Sequence, residues 1–187
     1  MSHLHWHRGG CGTGRHARFL AQHSFTVYAL DVFKEVLTSF TKTIHHDQAK
    51  YLFPLRSCFA ALPFQTACMD AILCFSAIHH GLYREIVLAI QEFLRVLRPG
   101  GFLFLDILSR KDSTYGLGKA LEPHTFVGGR SGEEDIPHHY VSQMDIKRIL
   151  SAFTLRSIEE VCYEFELYQQ EPVTSILFDI VANKPHE

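Results

Sequence analysis

Gly10-Cys11-Gly12-Thr13-Gly14 opens directly onto RHARFLAQH, a stretch with helical spacing. Glycines so placed let a backbone turn sharply and bring a ligand close to a helix N-terminus, where free N–H groups favour an anionic or polar partner. Asp31 ends the next β-rich run, FTVYALD, 21 residues after Gly10. A carboxylate at that place can accept hydrogen bonds from both hydroxyls of a ribose. The glycines alone would also suit a helix-capping turn; with the acid they point to a nucleoside ligand. The other residues with chemical capacity are histidines, thirteen in all. His3-x-His5-x-His7 would set three imidazoles on one face of a strand, but no Asp or Glu is spaced beside them. Adventitious nickel or zinc binding is expected there, and no resident metal. His79, with His80 beside it, His138, His139 and Tyr140 are the candidates for moving a proton, and Glu122 and His139 those for touching a substrate.

The elements that must position these residues alternate between β-rich runs and helical patterns. Strand 25–31 leads into a helix over about 32–43. YLFPLRSCF (51–59) is a weaker strand, because Pro54 has no N–H to give and counts against a central position. MDAILCFS (69–76) is a continuous apolar run with the character of a strand covered on both faces. Leu82, Ile86, Ile90, Phe93, Leu94 and Leu97 then recur at three- and four-residue steps, with Arg84, Glu85, Gln91, Glu92 and Arg95 on the other side. Pro99-Gly100-Gly101 stops this helix, and FLFLDIL (102–108) reads as another buried strand. Strand, helix, strand is a crossover unit, which implies a parallel sheet with helices on both faces. Patterning lapses over 109–141, a segment long enough to be functional, and its aromatics and histidines favour an ordered lid or substrate loop. Ser142 and Asp145 can cap a short helix, 143–152. RSIEEVCYEFELY and VTSILFDIVAN alternate as a closing antiparallel hairpin at the sheet edge.

Composition bounds the rest. The chain has 187 residues, 47% hydrophobic and 20% charged, which suits one domain able to bury a core without staples. The formal net charge of −2 offers no basic field for a nucleic acid. Residues 131–187 hold eleven acids against four bases, read as a solvated acidic surface. Five cysteines with no CxxC pair fit reduced thiols and a cytoplasmic location better than a disulfide framework. The first residues, MSHLHWHRGG, lack the apolar core of a signal peptide, and no run approaches a membrane span. Composition is silent on oligomeric state.

GCGTGRH (10–16), Asp31, ALPF (61–64) with MDAILCFSAIHH (69–80), and EFLRVLRPGGFLFLDI (92–107) stand in the order of the class I S-adenosylmethionine-dependent methyltransferases, which the sequence resembles over roughly 9–185. YGLGKALEPHTF and IPHHY resemble the lid of small-molecule members. The resemblance implies one domain, 1–187, with a Rossmann-like, doubly wound, mostly parallel seven-stranded sheet, helices on both faces and an antiparallel C-terminal hairpin. It implies S-adenosylmethionine as cofactor, in-line methyl transfer to a small-molecule acceptor, and neither nucleic acid nor membrane as partner. By position, Gly10, Cys11, Gly12, Thr13 and Gly14 would line the methionine moiety and Asp31 would hold the ribose. Val32, Cys58 and Phe59 would border the adenine, and Phe75 and Ser76 the methionine arm. Cys58 stands where many members carry an acid that accepts from the adenine amino group, and a thiol accepts poorly.

The first strand departs from the family. Its segment, 3–9, carries three histidines where a central strand should be apolar, and Arg8 stands where members carry an acid that helps hold the cofactor's ammonium group. A cation there replaces attraction with repulsion, about 1 kcal/mol at 4 Å in water and about 4 kcal/mol near a protein surface. Weak cofactor binding is therefore expected. A truncated or altered N-terminus, a degenerate domain, and a working enzyme despite the change all fit. Two other functions stand beside the enzyme: a non-catalytic methyltransferase-like binding or scaffold domain, and a nicotinamide-dependent oxidoreductase, the latter opposed by GCGTG lacking the GxGxxG spacing.

Overall fold

From residue 10 onward, each β-rich run and each amphipathic run of the sequence finds a counterpart in the computed structural model, which describes residues 10–165 and 173–186. The chain divides into two compact units, Met1–Pro63 and Phe64–Glu187.

In the first unit the order is α1 (Arg15–Gln22), β1 (Val27–Asp31), α2 (Lys34–Lys42) and β2 (Leu52–Arg56). β1 and β2 pair in parallel, with Ala29 opposite Pro54. β2 has no neighbour on its other side among the described residues, so the missing N–H of Pro54 leaves no ladder bond unmade. Ala17 and Ala21, one helical turn apart, present a small-residue face that packs with Ala29, Phe40 and Leu52 into the core of this unit.

The second unit adds β3 (Met69–Cys74), α3 (Tyr83–Val96), β4 (Leu97–Leu108), β5 (Lys119–Glu122), β6 (Thr125–Val127), β7 (His138–His139), α4 (Gln143–Ile149), β8 (Thr154–Phe165) and β9 (Val173–Asn183). Its main sheet runs β3-β4-β9-β8. β3 and β4 are parallel and joined through α3, while β9 lies antiparallel between β4 and β8. Ile86, Ala89, Ile90, Phe93 and Val96 form the buried stripe of α3. Glu85 departs from the expected outer face: it is buried and turns back to accept from Leu82 N–H at 2.8 Å, capping the helix start. The helix ends at Val96, and the Pro-Gly-Gly segment is already the start of β4, where Gly100 takes a φ of 76°. β3 is not sandwiched as its apolar run implied. Among the described residues it pairs only with β4, and Leu73 is 41% exposed. Segment 109–141 is ordered into a small antiparallel sheet, β5-β6-β7.

A Rossmann-like α/β arrangement is therefore present, but not one seven-stranded parallel sheet. The described residues form a two-stranded parallel sheet, a mixed four-stranded sheet and the small antiparallel one. The expected first strand, 3–9, lies outside the described residues, and with it the element expected at the sheet centre. No helix among the described residues is long and apolar enough to cross a membrane.

Candidate active site

In the first unit the glycine turn is stitched to the end of β1. Cys11 N–H donates to Leu30 O at 2.6 Å, and Gly12 N–H donates to Asp31 Oδ2 at 3.2 Å. The other carboxylate oxygen, Oδ1, accepts from Phe33 N–H at 3.0 Å. Asp31 is 4% exposed, so its position is set by these two amides and not by solvent. Two of the glycines are dictated by space. A Cβ on Gly10 would lie 2.5 Å from Leu30 O and 2.6 Å from Asp31 Oδ2. A Cβ on Gly14, whose φ is 77°, would lie 1.9 Å from the Phe40 ring. Gly12 differs: its φ is 52°, and nothing stands within 4 Å of its Cβ position. The turn is thus closed towards β1 and α2 and open at Gly12. Burial, with Asp31 adding to it, pushes the Cys11 thiol up to about 11. Cys58 follows β2 in a turn closed by Ala61 N–H on Cys58 O at 3.4 Å, and Ser57 N–H reaches Asp31 O at 3.0 Å. The structure therefore brings together Gly10 to Gly14, Asp31, Val32 and the turn carrying Cys58 and Phe59.

Phe75 and Ser76 belong to the second unit, at the carboxyl end of β3. Ser76 has a φ of 51°, rare for a residue with a side chain. Its N–H donates to Asp106 Oδ1 at 2.6 Å. Asp106, near the end of β4, is buried, and that burial raises its pKa to about 6. The sequence reading missed this acid, although an Asp inside the apolar run FLFLDIL was a legible signal.

Four buried histidines gather beyond Ser76. His139 N–H donates to His79 O at 2.8 Å, tying β7 to the loop after β3. The rings of His79, His80 and His138 pack at 4.5 to 6.1 Å between centroids. Glu133 Oε2 lies 2.9 Å from His138 Nε2, and that hydrogen bond is the main reason the Glu133 pKa falls to about 2. His79 is held well below the usual imidazole value, first by burial and then by its cationic and imidazole neighbours. Its Nδ1 is buried with no hydrogen-bond partner among the described residues, 4.0 Å from Asp106 Oδ1. His139 Nδ1 bonds Thr125 Oγ1 at 2.7 Å, and burial pushes its pKa down to about 4. Tyr140 OH meets Thr114 Oγ1 at 2.7 Å among the Tyr115 and Phe126 rings. Glu122 Oε1 accepts from Tyr83 N–H at 2.6 Å, at the start of α3, and from Thr125 Oγ1 at 3.0 Å. Glu122 and Tyr140 thus carry structural bonds whatever else they do. Glu133 was not singled out from sequence; only the fold unites it with His80 and His138.

A family model described as methyltransferase domain matches residues 8–105. No curated protein matches the chain. Among solved structures, an S-adenosylmethionine-dependent methyltransferase from Methanosarcina mazei is 19% identical, with a TM-score of 0.78 over 95% of this chain and 91% of its own. One from Mesorhizobium loti is 14% identical, with a TM-score of 0.71 over 94% and 88%. The Burkholderia thailandensis 1,6-didemethyltoxoflavin-N1-methyltransferase, solved with its substrate and S-adenosylhomocysteine, is 14% identical, with a TM-score of 0.70 over 94% and 68%. At these identities the likeness is one of fold. The open Gly12 and the braced carboxylate of Asp31 suit the sugar and amino-acid tail of a nucleoside cofactor, which is S-adenosylmethionine. With the family model covering more than half of its length, the chain belongs to the class I S-adenosylmethionine-dependent methyltransferase domains.

Proposed function

We propose that the chain transfers a methyl group from S-adenosylmethionine to a small-molecule acceptor, as one domain over 1–187. The observation that carries this reading is the Asp31 carboxylate, fixed at the end of β1 by the amides of Gly12 and Phe33. Each oxygen keeps a lone pair after those bonds, enough to accept from the two hydroxyls of a ribose. Gly10, Cys11, Gly12, Thr13 and Gly14 carry the amino-acid tail, Val32, Cys58 and Phe59 border the base, and Phe75 and Ser76 serve the methionine arm. The family match running from residue 8 to 105, across the boundary between the two compact units, supports a single domain.

S-adenosylmethionine supplies, when bound, a methyl group already activated on a sulfonium. What remains for the protein is positioning and exclusion of water. Cys11 is kept a thiol by its raised pKa, so no thiolate beside the glycine turn competes for the methyl. An acceptor that must lose a proton needs a base. His79 is the candidate whose buried Nδ1 has no hydrogen-bond partner among the described residues; burial keeps it neutral, with a lone pair free to accept, though as a weaker base than a solvated imidazole. A small-molecule acceptor is supported by the Burkholderia relative in fold, whose substrate is a small heterocycle, and by ordered aromatics in 109–141 such as Tyr115 and Phe126. The test is release of S-adenosylhomocysteine from S-adenosylmethionine over a panel of small hydroxyl, amine and thiol acceptors. Turnover with one of them, absent in Asp31→Ala, supports the reading. Turnover that Asp31→Ala leaves unchanged overturns it.

A further inference from the structure

His80, Glu133 and His138 come from three places in the second unit: the loop after β3, the segment before β7, and β7 itself. Their ligand atoms all lie within 4.8 Å of one another. Glu133 Oε2 is 2.9 Å from His138 Nε2, and Glu133 Oε1 is 3.9 Å from His80 Nε2. A tetrahedral ion with bonds of about 2.1 Å sets its ligands roughly 3.4 Å apart, so the observed separations bracket the required one. Closing on an ion asks for side-chain shifts of about half an ångström to an ångström and no new fold. The scaffold already fixes the backbone on both sides. β6 pairs with β7, placing Phe126 opposite His138, and His139 N–H holds the carbonyl of His79.

We propose that His80, Glu133 and His138 form a binding site for a zinc-class divalent cation, with the fourth position open to water or an acceptor oxygen. Two imidazoles and one carboxylate are the donors of a borderline first-row ion; magnesium and calcium take oxygen ligands instead. Three protein ligands with one open position is the arrangement of catalytic rather than structural zinc. The hydrogen now lying between Glu133 and His138 passes to His138 Nδ1 or to water when Nε2 takes the ion. Arg130 approaches Glu133 Oε2 at 3.8 Å, but its charge is answered by Asp112 Oδ1 at 3.3 Å, a fully buried carboxylate. The neighbourhood therefore keeps a net anion, the Glu133 carboxylate, among three packed imidazoles. A second observation concerns His79: it stacks on His138 at 6.1 Å, buried, with an unpartnered Nδ1. A polar group left so in a histidine cluster is what an ordered ligand would satisfy. This set is unrelated to the His3-x-His5-x-His7 triplet, and it stands or falls apart from methyl transfer.

The triplet is a competing chelator and must be removed first. In full-length protein carrying His3→Gln, His5→Gln and His7→Gln, zinc(II) calorimetry should show one equivalent bound, and cobalt(II) should give the intense visible bands of a tetrahedral site. Adding Glu133→Gln, which keeps side-chain shape, should weaken binding at least tenfold and abolish those bands. His80→Asn should do the same, and His138→Asn as well wherever circular dichroism shows it folded. Zinc should raise the melting temperature of the triplet-free protein and not that of its Glu133→Gln derivative. Loss of all binding with the triplet, or binding unchanged by Glu133→Gln, overturns the proposal.

Discussion

Gly10 and Gly14, beside Asp31, show how one residue type is forced by its neighbours. At Gly10 the obstacle is backbone, Leu30 O and the Asp31 Cα, and neither can move without shifting β1. At Gly14 the obstacle is the Phe40 ring, with a positive φ in addition. Gly10→Ala should therefore lower stability by about 1–3 kcal/mol, the usual cost of overpacking. Gly14→Ala should cost more, by a further 1–2 kcal/mol or so for a left-handed backbone. Urea midpoints measure both, and Thr13→Ala, at an exposed position, should stay within about 0.5 kcal/mol of wild type. These glycines and Asp31 were legible because their spacing is local and their chemistry shared by a large family. Glu133 and Asp106 were not. Glu133 is five residues from His138, but no periodicity links either of them to His80, some fifty residues earlier. Contacts of that kind come from tertiary packing, which single-sequence patterning does not encode.

Helix starts were legible at the scale of elements wherever a short polar side chain announces them. Ser142 caps α4 as expected: its Oγ accepts from Asp145 N–H at 3.3 Å, and Asp145 Oδ2 accepts from Ser142 N–H at 2.8 Å. Ser142→Ala should cost about 1 kcal/mol, read from the urea midpoint at constant slope. Asp145 keeps its second partner, Arg110, at 2.6 Å, so the loss should stay at that level. α3 was harder to read. Leucine at its N-cap offers no acceptor, and the exposed amides are met by Glu85 from inside the helix and by Glu122 from β5. A polar residue counted on the outer face was thus spent at the helix end. The strand run 69–76 misled for a related reason. Its apolar continuity implies cover on both faces, while Leu73 of β3 is 41% exposed.

Buried charge sets the pH response of the whole molecule. Asp106 faces Asp179 across the β4–β9 pair and lies near His79, and burial is the first cause of its raised pKa, about 6 against 3.8 for the free side chain. A group whose folded pKa is raised contributes stability that is full below the unfolded value and is lost as pH climbs through the folded one. The difference in unfolding free energy between wild type and Asp106→Asn should therefore favour wild type more at pH 4 than at pH 7. The change across that window is on the order of 2 kcal/mol. The fold at this scale was legible in outline: alternation along the chain, the crossover through α3, the antiparallel closing hairpin. The single seven-stranded sheet expected from the resemblance is not what the described residues form, and segment 3–9, polar and cationic where a core strand reads as apolar, lies outside them.

Titration of the protein with S-adenosylhomocysteine by calorimetry, wild type beside Asp31→Ala, tests the assignment most directly. Losing a carboxylate that accepts from ligand hydroxyls should weaken binding tenfold to about a hundredfold, with the circular dichroism spectrum unchanged. Equal affinity in the two proteins would mean that the ribose is not held at the end of β1, and the account of the site would be wrong.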